Sequence, residues 1–272
     1  MKNHYRCVNC GKQVDALYKT YGPSVLKLTK CVKCKGFVDK YIEYDPVIVV
    51  IDLVLMSKEA QRHILYNTEF KSYWKLFIIL LMLETYGLWR RDSLFNIVIN
   101  SVCGIQANST INITELYVPI ENAFPESWKN NCCMWIQDVR ADETDLFIWE
   151  KDFYVQFIAT FTGIVVFILN VNIMMRITRL FMRLNEVSLA AALKGFSLGN
   201  VSVAAWLPAL VWGGEAARTR VTHALLAAAA DTASRTAVYT VLYECPIVIT
   251  LLTVIIGQCA KYATYFHITP YL

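Results

Sequence analysis

The chain has 272 residues, enough for one or two domains, and its 26 Lys and Arg against 22 Asp and Glu give a net charge of +4. Hydrophobic residues make up 56% and charged residues 18%, and the mean hydropathy is +0.39. This composition excludes a disordered, collagen-like or coiled-coil protein and favours a membrane protein, and so small a net charge does not by itself indicate nucleic-acid binding.

Two Cys-x-x-Cys pairs stand near the N-terminus, separated by twenty residues: Cys7, Cys10, Cys31 and Cys34. This spacing is typical of a four-thiolate zinc site, in which each pair folds as a knuckle that points both sulfurs at one ion. The glycines that follow the pairs, Gly11 and Gly36, are expected to supply the turn with positive φ that such a knuckle needs. Because four sulfurs leave no open coordination position, the zinc is predicted to be structural and not catalytic.

Two alternatives explain the cysteine pairs less well. Two disulfides would need an oxidising compartment, and a redox motif would need one pair in a βαβ context. Residues 1–45 carry nine bases and four acids, which would offset the negative charge of a four-thiolate zinc centre. The sequence therefore predicts a zinc ribbon over residues 1–45.

The next segment is apolar but too short to cross a bilayer. Residues 46–56 are eleven residues long, whereas a span needs about 17–25. We predict that residues 46–72 form an amphipathic, interfacial segment coupling the ribbon to a membrane domain at 73–272, although a collar that only packs against the spans is an open alternative. Its predicted lipid and headgroup contacts are Val49, Leu53, Lys58, Arg62 and Lys71. Aspartate in place of either apolar residue is expected to disturb function while leaving zinc bound.

Three later segments are long and apolar enough to span a membrane, at about 73–89, 153–175 and 238–260. A fourth, 187–212, contains a Gly-Phe-Ser-Leu-Gly-Asn break, so a re-entrant hairpin and a fourth span both remain open there. The predicted fold class is a small N-terminal four-cysteine zinc ribbon followed by an α-helical multi-pass membrane domain, with three spans favoured over four.

Charge sets the expected orientation of these spans. Residues 106–152 hold nine acids and three bases, whereas residues 176–237 hold seven bases. The positive-inside rule then places the acidic loop in the lumen and the N-terminus in the cytosol. Two N-glycosylation sequons begin at Asn108 and Asn112 and agree with a luminal loop. In or beside that loop, a disulfide and free thiols are both open for Cys103, Cys132 and Cys133.

The first seventy residues carry a dense set of matching positions beside the cysteine pairs: Val14-Asp15, Leu17-Tyr18, Leu28-Thr29, Val38-Asp39-Lys40-Tyr41, Glu43, Asp45, Ile51-Asp52 and Arg62-His63 with Asn67. In these the chain resembles the Arv family. The resemblance implies a protein of the endoplasmic-reticulum membrane, with the Golgi as a second location, that acts in intracellular sterol transport and distribution. It also implies links to sphingolipid metabolism and to glycosylphosphatidylinositol assembly. The implied partners are membrane lipids, above all sterol, and membrane proteins of that assembly pathway.

Two other functions stay open. The first is an enzyme, or an accessory subunit, of a membrane glycosyl- or acyl-transfer step that uses a histidine or an acid at the membrane face. The candidates for such a role, none with a partner at recognisable spacing, are His63, His223, Glu84 and Glu244. Each is interpreted as structural, and the protein is predicted not to be an enzyme. The second is a zinc-ribbon module that binds a protein or a nucleic acid; beside a membrane, no nucleic-acid partner is expected.

Overall fold

The computed structural model describes residues 5–22, 25–69, 71–89, 146–182, 187–201 and 217–268. Four short strands come first: β1 Tyr5–Arg6, β2 Gln13–Val14, β3 Tyr18–Gly22 and β4 Val25–Leu28. The helices that follow are α1 Pro46–Val54, α2 Lys58–Arg62, a π-helical turn His63–Asn67, α3 Tyr73–Trp89, α4 Leu146–Phe181, α5 Leu189–Gly199, α6 Ala217–Tyr243 and α7 Ile247–Ile268.

Two antiparallel hairpins build the head. Strand β1 pairs with β2 through Tyr5 opposite Val14, and β3 pairs with β4 with Lys19 opposite Lys27. A core under the hairpins contains two of the cysteines and the apolar residues between them: Cys7, Leu17, Cys31 and Val38. A head with so few apolar side chains needs a further source of stability, such as bonds to a metal ion.

Helix α1 begins at a strong start signal. Asp45 caps the helix by accepting a hydrogen bond from the Val47 amide at 2.8 Å, and Pro46 occupies the first turn, where its missing N–H costs nothing. The helix ends before Met56, whose φ of 59° breaks the helical path. A second core cluster then joins α1 and α2 to the first cysteine knuckle: Val8, Tyr41, Val49 and Ala60. Residues of the predicted coupling segment are therefore packed onto the ribbon.

Helices α4 and α7 expose apolar stripes and also bury some polar side chains. Along α7 the buried side chains include Thr250, Thr253 and Lys261. Its exposed positions form an apolar stripe: Ile247, Val248, Leu251, Leu252, Ile255 and Ile256. Helix α4 likewise buries Gln156 and Thr160, and exposes a stripe at Tyr154, Ile158, Phe161, Val165, Leu169, Ile173 and Ile177. A helix in water would place mainly polar side chains at these exposed positions.

Two helices among the described residues are long and apolar enough to cross a membrane, Glu150–Phe181 and Ile247–Ile268. The first contains the predicted span 153–175. The predicted helix 73–89 is present, but its 17 residues measure about 26 Å, somewhat less than a hydrocarbon core of about 30 Å. Three spans are therefore not established.

The predicted span 238–260 is wrong as a single helix. Helix α6 ends at Tyr243 and α7 begins at Ile247, with Glu244 at a φ of 53° between them. Pro246 explains the break, because proline lacks the N–H that continues a helix and disfavours helical backbone at the residue before it. Of the segment 187–212, the structure describes residues 187–201, which contain α5. The 11 residues of α5 are too few to cross a bilayer.

The chain divides into two compact units. The first comprises Met1–Phe77, Asn172–Ser202 and Thr232–Val254, and it contains the whole head. In this unit Ser197 of α5 donates to the Tyr73 carbonyl at 3.3 Å, and a β-carbon on Gly195 would meet Leu242 at 2.9 Å, so α5 and α6 pack closely. The second unit comprises Ile78–Val171, Val203–Asp231 and Ile255–Leu272. It contains an ion pair between Lys261 and Glu84, both nearly buried. The domain boundaries predicted from composition stay a prediction.

Candidate metal centre and its contacts

The four cysteine sulfurs form one cluster. All four lie within 4.8 Å of one another. Cys7 Sγ is 3.7 Å from Cys34 Sγ, and Cys10 Sγ is 3.6 Å from Cys31 Sγ. A tetrahedral zinc with Zn–S bonds of about 2.3 Å requires sulfurs about 3.8 Å apart. The donor set therefore fits a four-coordinate thiophilic ion, with one sulfur of each knuckle paired with one of the other.

The two knuckles share one backbone design. In the first, the Cys7 amide donates to the Lys12 carbonyl at 2.9 Å, and the amide four residues on, at Gly11, donates back to the Cys7 carbonyl at 2.9 Å. In the second, the Cys31 amide donates to the Gly36 carbonyl at 2.8 Å, and the Lys35 amide donates back to Cys31 at 2.9 Å. The same turn is thus built twice around the cluster.

This repeat corrects one expectation from the sequence. Gly11 has the predicted positive φ, 76°, but in the second knuckle the left-handed residue is Lys35, with a φ of 60°. Both stand four residues after the first cysteine of their pair. Gly36 serves a different purpose, because a β-carbon there would come within 3.1 Å of the Asn9 side-chain nitrogen. Its lack of a side chain permits close approach of the two knuckles.

Backbone amides prepare at least one sulfur for metal. Hydrogen bonds from the backbone N–H groups of Cys34 and Lys33 lower the pKa of the Cys31 thiol to about 6, although burial opposes them. Burial raises the pKa of the Cys7 thiol to about 12. A cation bound among the four sulfurs would compensate for that burial, since metal binding deprotonates thiols.

Asp39 ties the ribbon to the π-helical turn. Its carboxylate is fully buried and receives the Tyr41 amide on one oxygen at 3.0 Å. Its other oxygen is 2.7 Å from His63 Nδ1 and 2.6 Å from Asn67 Nδ2. Both side chains belong to the π-helical turn, in which the Thr68 amide donates to the His63 carbonyl five residues earlier. This wider turn lets both side chains reach the same oxygen. Replacing any one of these groups would leave buried polar atoms without a partner.

Two arginines attach the head to other elements of the first unit. Arg62 donates from Nη1 to the carbonyls of Val8 and Asn9 at 2.7 and 2.9 Å, inside the first knuckle. Arg6 forms an ion pair with Glu244, and its guanidinium lies 4.2 Å from the ring centre of Tyr66. The Tyr66 hydroxyl donates to carbonyls in the last turn of α6, at 3.2 and 3.3 Å. Side chains of the head thereby bind the end of α6, where carbonyls lack helical partners.

Helix α1 turns the predicted lipid contacts inward. Val49 is only 6% exposed and packs with Val8 and Tyr41, and Leu53 packs at the edge of the same cluster. The apolar side chains that face outward are Val47, Ile48, Val50, Ile51, Val54 and Leu55, with exposures from 43% to 72%. Val49 and Leu53 therefore face the head instead of facing outward, and we call the six outward-facing side chains the outer face of α1. Positions on one side of a helix are about four residues apart, so Val49 and Leu53 share the side that faces the head.

The remaining predicted residues are placed as follows. Lys58 is exposed, and Lys71 is exposed beside Glu69 at 2.7 Å. Asn108 and Asn112 lie outside the described residues. Among the residues considered for catalysis, His63, Glu84 and Glu244 bond to Asp39, Lys261 and Arg6 in turn, and His223 is exposed.

Sequence reasoning missed Asp39, Asn67, Arg6 and Tyr66 as structural contacts. Asp39 and Asn67 lie at positions noted for their similarity to a family, yet their mutual contacts join segments far apart in the chain. A search for polar residues flanking the cysteine pairs would have flagged Asp39 and Arg6, but not their partners.

The chain is similar to known proteins. A family model described as the Arv1-like family matches residues 6–264. Protein ARV1 of Homo sapiens is 47% identical over 85 residues, which cover 31% of this chain and 31% of that protein. Protein arv1 of Schizosaccharomyces pombe is 37% identical over 92 residues, 32% of this chain and 35% of that protein. The matched stretches span about a third of the length of these relatives. No solved structure matches the chain.

Proposed function

This chain belongs to the Arv1-like family, and from that membership we propose that it maintains sterol homeostasis in the endoplasmic-reticulum membrane, by moving sterol or setting its distribution. The apolar stripes of α4 and α7 support a membrane-embedded protein. The proposal includes a cytosolic N-terminus, because the basic segments 1–45 and 176–237 then lie on the cytosolic side.

The proposal includes a structural zinc ion in the head. Cys7, Cys10, Cys31 and Cys34 would hold it, and its chemistry would be that of a closed site that joins two knuckles. The observation behind this is the S···S spacing, which fits a tetrahedral ion. With zinc bound, the first knuckle would be a rigid platform for Arg62, Val8 and the helices packed on them.

The outer face of α1 is the observation that carries the proposed role. A nine-residue helix and the residue that follows it expose six apolar side chains, while the inner side of the helix is packed against the head that carries the cysteine cluster. Soluble domains rarely leave such a patch in water, and a lipid surface of the adjoining membrane is the partner that fits it. The head would then hold α1 in the headgroup layer, where sterol would enter or leave the membrane.

Links to sphingolipid metabolism and to glycosylphosphatidylinositol assembly belong to the same proposal. They rest on family membership, and they would make membrane proteins of that assembly pathway the partners of this chain. A disturbed sterol distribution changes the membrane in which both pathways operate, so one primary role accounts for all three.

The test is reconstitution of the purified full chain in liposomes, with a fluorescent sterol and a glycosylphosphatidylinositol precursor assayed side by side. We expect faster sterol transfer to acceptor liposomes with the protein than without it, and slower transfer when Val50→Asp or Ile51→Asp alters the outer face. Asp15→Asn, an exposed change in the head, is the control. Sterol transfer equal to protein-free liposomes, with turnover of the precursor alone, would overturn the proposal in favour of an enzyme.

A further inference from the structure

A basic cleft lies in the first unit, between the metal centre and the break that separates α6 from α7. It has a volume of about 570 Å³. The two knuckles and α2 contribute the cations, and α6 contributes the opposite wall, so that the lining includes Lys12, Lys33, Lys58, Arg62, Thr240 and Glu244. They come from both knuckles, from α2 and from α6 with the break that follows it, and only the fold brings them together.

The charges around this cleft do not cancel. Four cations line it against one carboxylate, Glu244, which is already paired with Arg6. Among the described residues, Lys12, Lys33 and Lys58 form no ion pair. A zinc ion held by four thiolates carries a formal charge of about −2, and this would compensate only two of the four cations. The cleft therefore retains a net positive charge after the metal centre is counted.

Converging cations indicate an anionic ligand. The like charges that line this cleft repel one another, and an anion bound between them would relieve that repulsion. Lysine ammonium groups bind phosphate as point charges, and each supplies three donors. The Thr240 hydroxyl, at the α6 wall, has no hydrogen-bond partner within the described part of the chain, and it would offer one more donor.

We propose that this cleft binds a phosphate group, either of a phospholipid headgroup or of free inorganic phosphate. The lipid source is favoured by position, because the cleft is bordered by Glu244 and Cys245, in the break that leads into α7, a helix able to cross a membrane. The cleft would hold the phosphate beside the metal centre. Arg62 lines the cleft and donates to the knuckle carbonyls, so it would connect the bound phosphate with the first knuckle. Such a phosphate site is independent of the proposed sterol role.

The experiment uses the zinc-loaded full chain in a neutral detergent at fixed ionic strength. Binding is measured by microscale thermophoresis for three probes: inorganic phosphate, dioctanoyl phosphatidic acid and dioctanoyl phosphatidylcholine. The cleft variant is Lys33→Gln with Lys58→Gln. The matched control is Lys19→Gln with Lys27→Gln, which removes the same charge from the exposed hairpin of β3 and β4.

We expect phosphatidic acid to bind more tightly than phosphatidylcholine, and the cleft variant to lose affinity about 30-fold, as removal of two near-surface basic charges predicts. The control pair should lose less than about threefold. Comparable binding of inorganic phosphate identifies the phosphate group itself as the ligand, and binding of the lipid alone identifies a headgroup site; both support the proposal. Equal losses in the two paired variants, or no binding by any probe, would overturn it. Since no sterol is present, these outcomes are independent of the transfer assay.

Discussion

Two adjacent valines of α1 provide the sharpest test of which side of this helix faces the head. Val49 is 6% exposed, whereas Val50 is 54% exposed. Aspartate at either position adds the same charge to the same helix. The sequence alone predicts that Val49→Asp leaves zinc bound; the structure predicts that it does not.

The magnitude follows from burial. Val49→Asp forfeits about 1.5–3 kcal/mol of apolar burial against Val8, Tyr41 and Ala60. It also places a carboxylate among apolar side chains, which costs several kcal/mol more or forces the acid to protonate. Against a total stability of about 5–15 kcal/mol, such a loss unfolds a small head or lowers its zinc affinity by the same free energy. Val50→Asp should change head stability by about 0.5 kcal/mol or less.

The assay combines zinc content with sterol distribution. Each variant is expressed at matched level in cells lacking the native protein, then purified for elemental analysis before and after a chelator challenge. We expect Val49→Asp to lose zinc and sterol function together, and Val50→Asp to keep zinc while losing sterol function. Normal zinc retention in Val49→Asp would refute the packing of this valine against the head. Full sterol rescue by Val50→Asp would refute membrane contact by the outer face.

Three further changes test other parts of the structure. Cys31→Ser should remove most of the zinc, because three thiolates hold the ion more weakly; stoichiometric zinc on elemental analysis would contradict a four-sulfur site. Gly11→Ala should weaken zinc binding, measured by competition with a chelator, by about 1–2 kcal/mol, because a side chain disfavours the φ of 76° at this position. Lys35→Gly, at a φ of 60°, should not weaken it. The reverse order would show that the knuckles differ in backbone. Lys261→Met alone should destabilise the detergent-solubilised protein by about 3–5 kcal/mol, and adding Glu84→Gln should restore much of the loss. Additive melting-temperature losses would argue against a buried pair.

Local patterns predicted much of the framework. The doubled Cys-x-x-Cys spacing predicted the four-sulfur cluster, because short knuckles leave few other ways to arrange the sulfurs. The apolar segment predicted from residue 46 contains α1, and the long apolar run at 153–175 lies within α4. Hydropathy alone, however, predicted one continuous span across Pro246. Proline lacks the backbone N–H that continues a regular helix, so two helices form instead.

The sequence by itself determined the apolar composition, the cysteine cluster and the positions of α3 and α4, since these depend on spacing and on local backbone preferences. Only the tertiary structure decided which side of α1 is buried, because a nine-residue helix that is apolar nearly all round has no favoured face. Tertiary packing also joined Asp39 to His63 and Asn67, and Arg6 to Glu244 across 238 positions of the chain. Contacts between such distant residues follow from how elements pack, and no local pattern encodes them.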